Sequence, residues 1–109
     1  MSESCVFCKI IRGDFGTEFL AETEHTVAFQ DISPRAPIHI LVVPKVHHEN
    51  VAELAFADPD ALVDLVQVGS QLALQHSTGS FRLTFNTGKD AGQTVFHTHG
   101  HVTSRTPKN

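Results

Sequence analysis

The run Ile38-His39-Ile40-Leu41-Val42-Val43 constrains the fold most. Side chains alternate between the two faces of a strand, and here both faces are apolar except at His39. Such a segment belongs in the centre of a sheet, and Pro44 ends it. Residues 80–86 alternate cleanly and predict a second strand, with Phe81, Leu83 and Phe85 inward. Residues 18–21 and 26–30 are shorter strand candidates, split by the turn Thr23-Glu24-His25. Two prolines make residues 31–37 a loop. Residues 5–11 predict a short amphipathic helix ending at Gly13. Asp58 as N-cap and Pro59 at the first position open the only long helix, with Leu62, Leu65, Val66, Leu72 and Ala73 as its apolar stripe. A last strand is expected over residues 95–102. The fold class is α+β: one long and one short helix against a mostly antiparallel sheet, in a single domain over residues 1–109.

A chain of 109 residues with 40% hydrophobic and 18% charged content is a globular domain with a small core. Its net charge of −4 argues against a broad nucleic-acid surface. It leaves room for a nucleotide pocket, which needs only a few local donors. No apolar run reaches membrane-spanning length, and the first residues lack a signal-peptide layout, so no membrane partner and a cytoplasmic location are expected. Two cysteines in a reducing compartment do not read as a disulfide.

The chemistry concentrates in His97-Thr98-His99-Gly100-His101. On a strand, residues i, i+2 and i+4 share a face, so three imidazoles would form a row. Neighbouring positive charges and burial both oppose protonation, so some of these rings should be neutral near pH 7. A neutral imidazole is a nucleophile, a base or a metal ligand. The rival reading is a solvated, histidine-rich strand face. Just upstream, residues 87–92 (Thr-Gly-Lys-Asp-Ala-Gly) form a glycine loop, either an anion-binding nest of backbone N–H groups or a plain hairpin loop.

The segment GQTVFHTHGHV resembles the motif of the histidine triad family, H-φ-H-φ-H-φ-φ with φ apolar. FCKIIRGD at residues 7–14, AFQDISPRAPIHILVVPKVH at 28–47 and FNTG at 85–88 match its phosphoramidate-hydrolysing branch in the same order. The resemblance implies a five-stranded antiparallel sheet that dimerises into a ten-stranded one. It also implies a purine nucleotide substrate such as an AMP derivative, attacked at the α-phosphorus by the middle histidine, His99. A covalent nucleotidyl-histidine would then be hydrolysed, dividing one displacement into two easier ones. In this scheme His101 contacts the phosphoryl oxygens and His39 helps orient the nucleophile; alone, His39 reads as a satisfied core histidine. Asp31 would accept the ribose hydroxyls, though it also suits a loop cap. Val6, Phe7, Ile10, Phe29 and Ile32 correspond to the purine slot, and by composition alone are simply core. Asn86, Gln93 and Thr94 match positions that hold the phosphate or assist the leaving group.

Cys5-x-x-Cys8 on its own supports zinc, redox chemistry or nothing. The resemblance implies a structural zinc held by Cys5, Cys8, His47 and His97, which closes a tetrahedral shell. No organic cofactor is expected. Thr98 and Gly100 stand where the family usually carries large apolar residues. The chain also ends soon after His101 and has no tryptophan, where relatives usually run on towards one. These departures favour a second reading, a nucleotide-binding module of low activity. A third is a zinc hydrolase that uses His97, His99 and His101 as metal ligands.

Overall fold

The computed structural model describes residues 4–108. Its elements are α1 (Val6–Arg12), β1 (Ala21–Glu22), β2 (Thr26–Gln30), β3 (Ile38–Pro44), α2 (Val51–Ala57), α3 (Pro59–His76), β4 (Arg82–Thr84) and β5 (Gly100–Ser104). The five strands form one antiparallel sheet in the order β1-β2-β3-β5-β4. The expected α+β class and the central place of β3 hold, and every residue of β3 is buried.

Strand alternation gives the sheet two different faces. Ile38, Ile40, Val42 and Val102 pack with Ala28 against α3 and α2. Val27, Phe29, Leu41 and Val43 pack against Cys5, Phe7 and Cys8 of the N-terminal segment. His39 on β3 and His101 on β5 have the parity of this second face.

Helix α3 begins as its sequence predicts: the Asp58 carboxylate accepts from the Ala61 N–H at 3.2 Å, and Pro59 occupies the first turn. Its buried face is Ala61, Leu65, Val68, Gly69, Leu72 and Ala73. Val66 lies about 100° round from Leu65 and is exposed, so it does not belong to the stripe expected of it. Helix α2 was not anticipated. Seven residues bury only Leu54, too little periodicity to read. Its start is legible in hindsight as an Asn N-cap with a glutamate three residues on. Asn50 Oδ1 accepts from the Glu53 N–H at 2.9 Å, and Glu53 Oε1 accepts from the Glu49 N–H at 3.2 Å.

Three strand expectations are corrected. β4 covers only Arg82–Thr84 and not residues 80–86. Pairing near residue 20 is confined to Ala21–Glu22 instead of residues 18–21. The histidine strand starts only at Gly100, so His97 and His99 precede it. The ladder stops because β3 runs out: Val42 pairs with Gly100, and Pro44, two residues on, has no N–H to donate. The Pro44 carbonyl is taken by the His97 ring, while the Thr98 N–H and hydroxyl both donate to the His48 carbonyl, at 2.7 and 3.0 Å.

Candidate functional site

Two clusters lie side by side on the α1 face. The first joins residues far apart in sequence. Cys5 caps α1, its Sγ accepting the Cys8 N–H at 3.3 Å, which fixes both sulfurs on the same side. Gly13 closes the helix with φ 91°, a backbone conformation that disfavours any residue with a Cβ. His97 donates from Nε2 to the Pro44 carbonyl at 2.9 Å, since a carbonyl only accepts. Its Nδ1 is therefore a bare lone pair. That Nδ1 lies 3.1 Å from His47 Nδ1, 3.3 Å from Cys5 Sγ and 3.5 Å from Cys8 Sγ, and Cys8 Sγ lies 3.4 Å from His47 Nδ1. A tetrahedral zinc with usual bond lengths has N···N edges of roughly 3.3 Å and N···S edges of roughly 3.6 Å. The four donor atoms fit that shell, and the Pro44 carbonyl supplies the outer hydrogen bond that such a histidine needs. Without a metal, burial and then the neighbouring Cys5 push the Cys8 thiol up to about 11. Burial is also the main reason the His97 imidazole is pushed down to about 4. A bound cation would reverse the thiol's preference.

The second cluster is a directed chain of hydrogen bonds. His99 Nδ1 donates to the His97 carbonyl at 2.8 Å, leaving Nε2 unprotonated in the neutral ring. The Arg35 N–H donates to His39 Nδ1 at 3.1 Å, so the His39 proton sits on Nε2. From there it faces His101 Nδ1 at 2.9 Å and Asp31 Oδ2 at 3.3 Å; the shorter contact is the better hydrogen bond. His101 then accepts at Nδ1 and carries its own proton on Nε2. The tautomers of His99 and His39 follow from backbone groups whose roles are fixed, and that of His101 follows from His39. The His99 and His101 ring centres are 5.0 Å apart, and the Phe7 ring stands edge-on to His99 at 4.9 Å. Burial, as the leading cause, holds both imidazoles below their ordinary value. For His99 the His97 carbonyl and the Asp31 charge act the other way. One bare nitrogen thus lies beside one N–H donor, in rings that burial keeps uncharged.

Residues 4–109 match a family model of histidine triad type, described as "Scavenger mRNA decapping enzyme C-term binding". The chain is 33% identical to "Purine nucleoside phosphoramidase" of Escherichia coli strain K12, over 98% of this chain and 92% of that protein. It is 36% identical to "Protein HitA" of Neisseria gonorrhoeae, over 92% and 94% of the two. A "HIT family hydrolase" of Clostridium thermocellum superposes with a TM-score of 0.87 at 39% identity, covering 94% of this chain and 91% of that one. The chain belongs to the histidine triad family. Its departures from the triad motif can be read at the atomic level. A Cβ on Gly100 would stand 2.9 Å from Leu83, 3.0 Å from Phe85 and 3.1 Å from Val42. Those three side chains occupy the space beside Gly100, so the position is packed without a side chain of its own. Thr98 is buried with its hydroxyl satisfied by the His48 carbonyl.

The remaining sequence candidates fall into three groups. Phe7 and Phe29 are buried with their rings edge-to-face at 6.0 Å, and Ile10 packs against them. Val6 is 39% exposed and Ile32 98% exposed, so both stand outside this packed wall. Asp31 does cap its loop, with Oδ1 accepting from the Ser33 N–H at 2.7 Å. Two carboxylate oxygens offer about four acceptor positions, so capacity remains after Ser33 and His39. Thr94 is exposed beside Cys5, His47 and Phe96 along a shallow cleft. Asn86 donates to the Ala91 carbonyl at 2.8 Å, tying down the glycine loop.

Gln93 is buried, with both amide hydrogens used, on the carbonyls of Glu49 at 2.7 Å and Val95 at 3.0 Å; its oxygen accepts the Gly88 N–H at 2.8 Å. It has no donor left for a phosphate and acts as a brace between two loops. Much of the glycine loop at residues 87–92 closes on itself. The N–H groups of Gly88, Ala91, Gly92 and Gln93 are all spent inside the loop. Sequence pattern cannot separate a nest from a self-closed loop, because glycines serve both.

Proposed function

We propose that this chain hydrolyses purine nucleoside phosphoramidates or related nucleotidyl substrates through a covalent intermediate on His99. The carrying observation is the His99 Nδ1–H···O=C bond to His97, which presents a bare, neutral Nε2 at a buried surface. Nε2 attacks the α-phosphorus and a P–N bond to His99 forms. The bond from phosphorus to the leaving nitrogen breaks, and the departing amine takes its proton from solvent water, the Thr94 hydroxyl serving at most as a relay that water reprotonates. His101 Nε2–H is the donor for a phosphoryl oxygen, with His39 holding that tautomer. The nucleotidylated ring is a cation. The two influences that favour positive charge on His99, the His97 carbonyl and the Asp31 carboxylate, are those such an intermediate needs. Water then attacks phosphorus and the imidazole leaves neutral. Asp31 accepts the ribose hydroxyls, and the Phe7–Phe29 wall with Ile10, Val6 and the exposed Ile32 receives the purine. The names of the relatives support this reading.

A structural zinc on Cys5, Cys8, His47 and His97 belongs to the same proposal. All four donors are protein atoms, so the metal would hold the N-terminal segment against the triad without entering the chemistry. The zinc-hydrolase reading is not favoured. Donor atoms gather within 4.8 Å of one another around His97 with Cys5, Cys8 and His47, and around Asp31 with His39 and His101, but not among His97, His99 and His101. A homodimer is proposed as the working unit. Among the described residues no helix is long and apolar enough to cross a membrane.

The test is mass spectrometry of protein quenched while turning over an adenosine phosphoramidate. Nucleotidylated His99 is expected, and His99→Ala should abolish hydrolysis while AMP still binds. Unchanged turnover in that variant would refute the covalent mechanism.

A further inference from the structure

Three of the four arginines, Arg35, Arg82 and Arg105, line one open cleft of about 540 Å3 in a chain whose net charge is −4. No acidic side chain lines that cleft, and among the described residues none of the three guanidiniums is in an ion pair. Three cations lining one cleft with no neutralising carboxylate give it a positive field, which a bound anion would relieve. The guanidinium fork matches phosphate oxygens in particular.

The cleft is continuous with the histidine site. Arg82, Thr103 and His39 are direct neighbours across β4, β5 and β3. Thr103, which also lines the cleft, follows His101 by two residues, so it shares the His101 face about 6.8 Å further along the strand. The Arg35 N–H holds His39 Nδ1, and the Arg35 charge is one of the influences that disfavour protonation of His101.

We propose that this arginine cleft binds a second phosphate of the substrate, carried either on the ribose or on the group beyond the α-phosphate. The inference rests on the nucleotide reading of the histidine site. A competing occupant is an acidic side chain of a second copy of this chain, since Arg82 lies on the edge strand β4.

Calorimetric titration of the full-length protein with AMP, adenosine 3′,5′-bisphosphate and α,β-methylene-ADP tests it. One of the two diphosphorylated ligands should bind at least tenfold tighter than AMP, and which one does so identifies where the second phosphate is carried. In Arg82→Gln/Arg105→Gln that gain should disappear while AMP affinity stays within threefold of wild type. Equal affinities for all three ligands, or a gain that survives in the variant, would overturn the proposal. So would a variant that becomes monomeric by light scattering and keeps the phosphate gain, because the arginines would then serve a subunit contact. AMP binding without any gain removes the cleft alone; failure to bind AMP at all removes the nucleotide reading on which it stands.

Discussion

At the scale of single residues, two positions make the site's logic testable. Gly100 is held by close approach: a Cβ would come within 2.9–3.1 Å of Leu83, Phe85 and Val42 and would have to displace their side chains. Gly100→Val, although nearer to the family's pattern, should therefore destabilise the protein by about 1–3 kcal/mol through overpacking. Urea unfolding would measure this, and a variant as stable as wild type would show the three neighbours free to retreat. His101 shares the pH dependence with His97 and His99. It faces His99, His39, Asp31 and Arg35, and burial is the first cause of its lowered pKa. In the unfolded chain it protonates near its ordinary value of about 6.5; in the folded protein it does so only at lower pH. Below about 6.5 the unfolded state thus holds a proton that the folded state lacks, and stability falls as pH falls. The urea midpoint should decline with acidification from about pH 6.5, and His101→Gln should flatten that decline. An unchanged slope would take His101 out of the titration.

At the scale of elements, legibility followed how much each segment decides for itself. β3 and α3 were readable because a two-faced apolar run and an Asp-Pro start leave few alternatives. The start of β5 was not, because a proline on another strand and the His48 carbonyl decide where its ladder stops. The histidines were legible as a row, but their division of labour was not. His97 turns to the cysteines while His99 and His101 join His39, and only the carbonyls of Pro44 and His97 reveal which nitrogens are bare. Gln93 carried no signal for its bracing role, since a buried amide and a phosphate-binding amide are the same letter. Helix α1 shows how much an element can depend on its surroundings. Seven residues are too few for a stable isolated helix. Its cap is itself one of the proposed metal donors. Cys8→Ser should therefore lose zinc from close to one per chain and lower the melting temperature by about 5 °C or more. Elemental analysis with a thermal melt checks both, and metal-free wild type melting together with the variant would remove zinc from the fold.

At the scale of the whole molecule, the surface left over by one chain points to a second copy. Among the described residues β4 pairs with β5 alone, so its other edge offers unpaired backbone groups, which proteins usually cover. Helix α3 turns its buried face to the sheet, yet Val63, Val66 and Leu74 stand 55%, 38% and 56% exposed on its outer side. Spacings of three and eight residues place them on one stripe. A chain of 109 residues has little core of its own, so an uncovered apolar stripe and an open strand edge are both liabilities unless a partner buries them. The expected assembly is a homodimer through that edge and helix, with two sheets continuing into one. Its disruption should be separable from unfolding, because none of the three side chains belongs to the buried core that holds α3 to the sheet. Val66→Asp/Leu74→Glu should shift wild-type dimer to monomer at micromolar concentration by light scattering, with the far-ultraviolet circular dichroism of the wild type retained. A wild-type protein already monomeric at that concentration would assign the stripe to solvent, and a variant still dimeric would place the interface elsewhere on the surface.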